Sequence, residues 1–216
     1  MFENREDAGR RLAMALEKYR RKDAVVLGIA SGGIIVAHQV AKYLEAELDV
    51  VVAKRLPYFN NPHAGFGSVS EEDSVFIFPG AYESFNEETI SRIIQEQQNE
   101  VCRKVGALRS GNPLPNIEGK TVIIVDDGIS AGSNMSVCIT FCRNKNAAKI
   151  VAAAPVSGID NAQRIQRLAD DVCILEVPED FCSVSNSYEN FQEVTDRQII
   201  KILRQWEYEK FRAIGH

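Results

Sequence analysis

The chain has 216 residues, 45% of them hydrophobic and 25% charged, with a net charge of −5. That length fits one domain, or one domain with an elaboration, and the acidic balance argues against a general nucleic-acid-binding surface. The longest apolar stretch, 25–37, is broken by Gly28 and by Ser31, Gly32 and Gly33, so it is too short and too interrupted to span a bilayer. Five cysteines, Cys102, Cys138, Cys142, Cys173 and Cys182, form no C-x-x-C pair. Free thiols in a reducing cytoplasm are expected. The opening MFENREDAGR is polar from its third residue and does not read as a signal peptide.

In chain order, residues 2–21 place Ala8, Leu12, Ala15, Leu16 and Tyr19 at helical spacing and predict an amphipathic helix. Residues 24–29 predict a buried strand, and a Ser-Gly-Gly turn leads to a helix over 34–48. A second strand is expected over 49–54. Residues 66–69 and 75–78 are short β candidates around an acidic turn. A long polar helical pattern covers 84–108, and 109–119 is a turn-rich connector. A strand over 122–125 and its helix come next, then a strand at 149–154, a helix at 160–169 and a strand at 172–177. Residues 178–188 are irregular, and 196–211 close with a helix. Strands alternating with helices predict an α/β fold, a doubly wound, mostly parallel sheet flanked by helices. The chain 1–216 is expected to be one domain. Its polar insert, 66–119, is positioned to act as a lid.

The most informative stretch is TVIIVDDGISAGSNM, residues 121–135. Its apolar run is too short for a buried helix and predicts a buried strand. Met135, Cys138, Ile139 and Cys142 then recur at helical spacing. The loop of Gly128, Ile129, Ser130, Ala131, Gly132, Ser133 and Asn134 therefore joins the carboxyl end of a strand to the amino end of a helix. Open α/β sheets bind ligands there, and the unpaired amides favour a phosphate. Asp126 and Asp127 would repel a lone phosphate. They suit a ligand that also presents hydroxyls or a cation, as a ribose 5-phosphate does. Other readings are an aspartate pair that caps the next helix, a P-loop magnesium site and a phosphoaspartyl site. The P-loop needs a G-x-x-x-x-G-K-[ST] that this chain lacks. The phosphoaspartyl site gives no reason for the loop composition. Cys138 and Cys142 share a helix face with no His or Cys nearby in sequence, and read as core side chains rather than metal ligands.

VIIVDDGISAG resembles the phosphoribosyl pyrophosphate-binding motif of the type I phosphoribosyltransferases. IASGG at 29–33 stands where these proteins carry a short pyrophosphate loop. AKRLPYFNNPHAGFGSV at 53–69 is similar to an RK…P…E-A-G-F-G-A-V segment of a bacterial and archaeal branch, as are the opening NREDAGRRLA and the closing SYENFQEVTD. The resemblance implies that fold, with 178–216 as a C-terminal hood and helix. It implies transfer of phosphoribosyl from phosphoribosyl pyrophosphate to a nitrogen acceptor, a nucleobase-like compound, with release of pyrophosphate and with Mg2+ as cofactor. It places Asp126 and Asp127 against the ribose hydroxyls, directly or through magnesium-bound water. Residues 128–134 would wrap the 5-phosphate. Ser31, Gly32 and Gly33 would offer amides to pyrophosphate through a strained or cis peptide, and Lys54 and Arg55 would neutralise the leaving group. A homodimer is also implied, with Ile199, Ile200, Ile202 and Leu203 among the apolar residues available to it.

The chain departs from that pattern at Ala131, where relatives commonly have Thr, and at Ser31, where many have Arg. His63 replaces a Glu, and the Lys54–Arg55 order is reversed. Phe181, Tyr188 and Phe191 are candidates to stack on a flat base, with packing as the competing explanation. Arg103 and Arg109 are candidate lid cations, with exposed surface charge as the competing explanation. Two rival functions remain: a non-catalytic sensor of phosphoribosyl pyrophosphate or a nucleotide, and a hydrolase or phosphorylase using His63 as base.

Overall fold

The computed structural model describes residues 1–58, 61–81 and 86–214, without the side chains of 61–63 and 212–214. Its centre is a five-stranded sheet of β1 (Ala24–Ile29), β2 (Glu47–Val51), β6 (Thr121–Val125), β7 (Lys149–Val156) and β8 (Asp171–Glu176). The order is β2-β1-β6-β7-β8, and every pairing is parallel. From β1 the chain winds outward to β2; from β6 it winds the other way to β7 and β8. The carboxyl ends of β1 and β6 thus flank the switch point, where such sheets leave a crevice.

Alternation along the strands explains the two faces. Val26, Ile123 and Val151 pack with Leu12 and Leu16, and with Ile34 and Val40 of α2 (Gly33–Leu44). Val25, Leu27, Val122, Ile124 and Ile150 face Met135, Cys138, Ile139 and Cys142 of α4 (Ser133–Asn144) and Ile165 of α5 (Ile159–Leu168). Cys138 and Cys142 are buried free thiols, and burial pushes the Cys142 thiol up to about 12.

The expected helix over 2–21 is shorter. Asn4 accepts the Asp7 N–H (2.9 Å) and caps α1 (Arg5–Ala15), and a 3-10 turn at Glu17–Tyr19 follows. Helix α2 ends at Leu44, because Glu45 turns left-handed (φ 57°) and binds Arg20 and Arg21; Leu48 belongs to β2. The expected strand over 49–54 is two strands. At Val52 the chain leaves the sheet: its N–H goes to Glu71 (3.0 Å) and its carbonyl takes the Ser70 hydroxyl (2.7 Å). From there β3 (Ala53–Tyr58), β4 (Asn61–Ser70) and β5 (Val75–Ile77) form a separate antiparallel sheet.

Helix α3 (Glu87–Arg109) completes this insert; the expected start at 84 lies outside the described residues. Arg109 is not a surface charge. It is 7% exposed, pairs with Glu71 (2.7 Å) and Asp49 (3.4 Å), and donates to the Val50 carbonyl (2.5 Å). It staples the insert to the edge of the main sheet. Arg103 is exposed and pairs with Glu100 on its own helix.

Helix α6 (Asp196–Ile214) lays Ile199, Ile200, Ile202 and Leu203 against the core of this same chain. Tyr208 and Phe211 remain exposed. Among the described residues no helix is long and apolar enough to cross a membrane.

Candidate active site

Asp126 and Asp127 follow β6 directly, at the switch point. The Asp126 N–H still donates to Ala153 (3.1 Å), so the sheet itself holds the first carboxylate. The Asp127 N–H donates back to Asp126 Oδ1 (2.9 Å). Burial, then the Asp127 charge, push the Asp126 carboxyl well above the usual carboxylate range.

The 128–134 loop borders an open cleft of about 360 Å³ that Asp126 and Arg55 also line. Its start is fixed by the Ile129 N–H donating to Val156 (2.9 Å). Its outward carbonyls are occupied: Ser130 O accepts from Asn161 and Ala131 O from Arg164 (3.0 Å). Gly132 adopts φ +77°, a conformation that suits glycine. Helix α4 then begins, and the Ser136 N–H bonds Gly132 O at 2.9 Å. The amides of Ser133, Asn134 and Met135 precede that bond and lack intrahelical partners. The insert braces the same point, since Ser68 of β4, fully buried, donates to Asn134 Oδ1 (2.7 Å) and lies 2.8 Å from Ser133 Oγ. The loop thus has amides without intrahelical partners while two of its carbonyls are tied away, an arrangement of the kind that favours anions.

A second loop, 31–33, leaves the end of β1, and the Ala30–Ser31 peptide is cis. It sits hard against the aspartates. A Cβ on Gly32 would fall 1.8 Å from Asp127 Oδ2, and one on Gly33 would fall 2.5 Å from the Val125 carbonyl. The two loops therefore flank the carboxylate pair.

Neighbouring strand residues point to opposite faces, which separates Lys54 from Arg55. Arg55 lines the cleft, its stem lying across Gly65. Lys54 is close enough to Glu100 of α3 to lower that carboxyl's pKa slightly, after the larger effect of Arg103. Tyr188 is 6% exposed. Its ring lies between Phe2 (5.6 Å) and Phe191 (5.3 Å), and its hydroxyl donates to the Asp127 carbonyl (2.5 Å). The ring is thus covered by protein, and Phe191, 37% exposed, is the more open one. Phe181 packs over Gly158. The side chain of His63 lies outside the described residues.

One residue at the site carried no expectation. Arg5 Nε pairs with Asp127 Oδ2 at 2.7 Å, both side chains largely buried. Its guanidinium also donates to the Gln192 carbonyl (2.7 Å) and lies 3.9 Å from the Phe191 ring centroid. The segment arrives there because Phe2 bridges to Tyr188, with Phe2 N–H to Ser187 O at 2.8 Å and Glu189 N–H to Phe2 O at 2.9 Å. A signal was present: an arginine at the first position of a helix faces the unfavourable end of the dipole.

No three or more His, Cys, Asp or Glu side chains gather as a metal cage among the described residues. A divalent ion would need oxygens from its ligand, as Mg2+ usually does. Asp126, buried beside a second carboxylate and against the 31–33 loop, fits a cation arriving in that way.

A doubly wound parallel sheet with an amide cradle and a carboxylate pair at its switch point defines a phosphoribosyltransferase-type domain. The phosphoribosyl transferase domain model matches residues 2–186, and the chain belongs to that family. Two Mycobacterium tuberculosis proteins, from strains CDC 1551 and H37Rv, each named "Putative phosphoribosyl transferase", are 32% identical over 205 residues. That alignment takes in 94% of this chain and 46% of theirs, so the chain spans about half the length of those relatives. The crystal structure of TT1426 from Thermus thermophilus is 32% identical, with a TM-score of 0.82 over 95% of this chain and 98% of that one.

Proposed function

We propose that the chain is a phosphoribosyltransferase that binds phosphoribosyl pyrophosphate with Mg2+ and transfers the phosphoribosyl group to a nitrogen of a nucleobase-like acceptor. The observation that carries this reading is the placement of Asp126 and Asp127 between two amide-rich loops. A ligand with a phosphate at one end, hydroxyls in the middle and pyrophosphate at the other matches that order. In the reaction the acceptor nitrogen bonds to C1, the C1–O bond to pyrophosphate breaks with its electron pair, and the acceptor loses a proton.

The residues' work is positioning and electrostatics. The 128–134 amides hold the 5-phosphate. The aspartates accept the ribose hydroxyls and face the positive charge that grows on the sugar. Arg5 holds the Asp127 carboxylate and Tyr188 its carbonyl. The 31–33 amides receive the leaving group. Mg2+ held through Asp126 and Asp127, directly or by water, would supply Lewis-acid charge stabilisation. The homodimer suggested by the resemblance is part of the same proposal, with exposed Tyr208 and Phe211 as candidates for its contact.

Calorimetric titration with phosphoribosyl pyrophosphate, with and without Mg2+, tests the donor site. Binding is expected for the wild type with Mg2+ and not for Asp126→Ala/Asp127→Ala. Absence of binding under both conditions overturns the reading. Release of pyrophosphate across a panel of nucleobases then identifies the acceptor. A binding-only sensor is the second reading, favoured by Ala131, which offers no hydroxyl to a phosphate. Donor binding without turnover over a wide panel would select it.

A further inference from the structure

The 31–33 loop carries no cation of its own, yet a strongly charged leaving group is assigned to it. Lys104 of α3 stands beside it. Its Nζ donates to Ser31 Oγ (3.3 Å) and pairs with Asp196 Oδ1 (3.3 Å). The lysine side chain is 14% exposed, an unusually covered setting for an ammonium, whereas Asp196 is 46% exposed. The bond to Ser31 links residues 73 positions apart.

We infer that Lys104 is the cationic arm of the pyrophosphate side of the site, with Asp196 as its resting counter-ion. The ammonium is held at the loop by a serine hydroxyl and by a half-exposed carboxylate at the start of α6. An incoming polyanion offers it more charge than Asp196 does and replaces that partner. Lys104 thereby supplies from the insert the charge that the loop lacks at Ser31. Because Asp196 follows the segment bearing Tyr188, Phe191 and the Gln192 carbonyl, the exchange also links occupancy of the donor side to the hood. The inference rests on the donor reading above, which places pyrophosphate at 31–33.

Wild type, Lys104→Gln, Lys104→Arg and Asp196→Asn are titrated with inorganic pyrophosphate, phosphoribosyl pyrophosphate and ribose 5-phosphate in the presence of Mg2+, with thermal melts alongside. Lys104→Gln is expected to weaken pyrophosphate and phosphoribosyl pyrophosphate about tenfold or more, as loss of a charge-assisted bond does. Ribose 5-phosphate should stay within about twofold, because the phosphate cradle is a separate part of the site. Lys104→Arg should recover most of the loss. Asp196→Asn should tighten pyrophosphate by about two- to fivefold by releasing the exposed partner, a gain that a purely structural ion pair would not give. Unchanged pyrophosphate affinity in Lys104→Gln overturns the inference, as does an equal loss for all three ligands. Lysine-dependent binding of inorganic pyrophosphate without binding of phosphoribosyl pyrophosphate by wild type keeps Lys104 and discards the ribosyl reading.

Discussion

The two sides of the carboxylate pair are built by different physics. On one side the 128–134 cradle is backbone, continuous with β6 and α4, and tied down by Ser68, Asn161 and Arg164. On the other side Asp127 is held by side chains from both ends of the chain, Arg5 and Tyr188, with Gly32 pressed against it. A backbone cradle tolerates changes of side chain, which is why Ala131 can stand in the loop. A side-chain scaffold does not, because each partner is held by one or two bonds. The difference predicts that a substitution in the cradle acts weakly and one that opens the Arg5–Asp127 pair acts strongly.

The largest effect is expected at Asp126, which both sides share. Asp126→Asn should lower turnover by roughly two to three orders of magnitude, the scale of one preorganised group in a transition state, measured as pyrophosphate release. Its stability should move the other way. Burial and Asp127 raise the folded Asp126 pKa above its unfolded value. The folded state then binds the extra proton, so stability falls as pH rises from the usual carboxylate range toward that raised value. The asparagine removes this loss. The variant should melt above wild type at pH 7, with the gap closing as pH falls toward 4. A variant that melts below wild type at pH 7 would show that the charge is satisfied in the folded protein.

Next comes Gly32→Ala. The new Cβ would lie 1.8 Å from Asp127 Oδ2 and 2.8 Å from Arg5 Nε, so the ion pair has to open. Donor affinity should fall more than about tenfold, whereas Ala131→Gly in the cradle should change it by less than about threefold. Equal effects would erase the proposed contrast between the two sides.

Arg109→Ala sets the scale for a buried pair away from the cleft. It strips Glu71 and Asp49 of their cation and should cost about 3–5 kcal/mol of stability, read by urea unfolding. Donor affinity measured well below the melting temperature should be unaffected. A large change in affinity would make the insert part of the site through this staple as well.

The contrast also separates what the sequence displayed from what it hid. The cradle was legible because one contiguous segment supplies strand, carboxylates, amides and helix, and its period changes from an apolar run to helical spacing at 121–142. Four of the five main-sheet strands were legible for the same reason, to within two residues at their ends; the expected 49–54 overran β2, which ends at Val51. The break at Val52 was not, because the bonds that turn the chain there come from Ser70 and Glu71, whose side chains look like ordinary turn residues. Arg109 read as a surface cation because its two carboxylates lie 38 and 60 positions away. Arg5 stands 122 positions from Asp127, and only folding brings them together. Lys104 follows Glu100 by one helical turn, the pattern of a solvent-facing pair; in the structure Glu100 takes Arg103 instead.

A smaller effect than that of Gly32→Ala is expected where the side-chain scaffold loses a single atom. Tyr188→Phe keeps the ring between Phe2 and Phe191 and removes only the hydroxyl that donates to the Asp127 carbonyl. Burial, with the Asp127 charge adding to it, raises the phenol's pKa, so it stays a neutral donor at any working pH. Loss of one buried bond should cost about 1–2 kcal/mol of stability. If the tyrosine also fixes Asp127, the Michaelis constant for the donor should rise by about two- to fivefold while turnover changes less. A stability loss with unchanged kinetics would leave Arg5 and Gly32 to position the carboxylate and reduce Tyr188 to packing. A loss confined to turnover would instead mean that the carbonyl's orientation matters in the transition state more than in the bound donor, because only interactions that strengthen there change the chemical step.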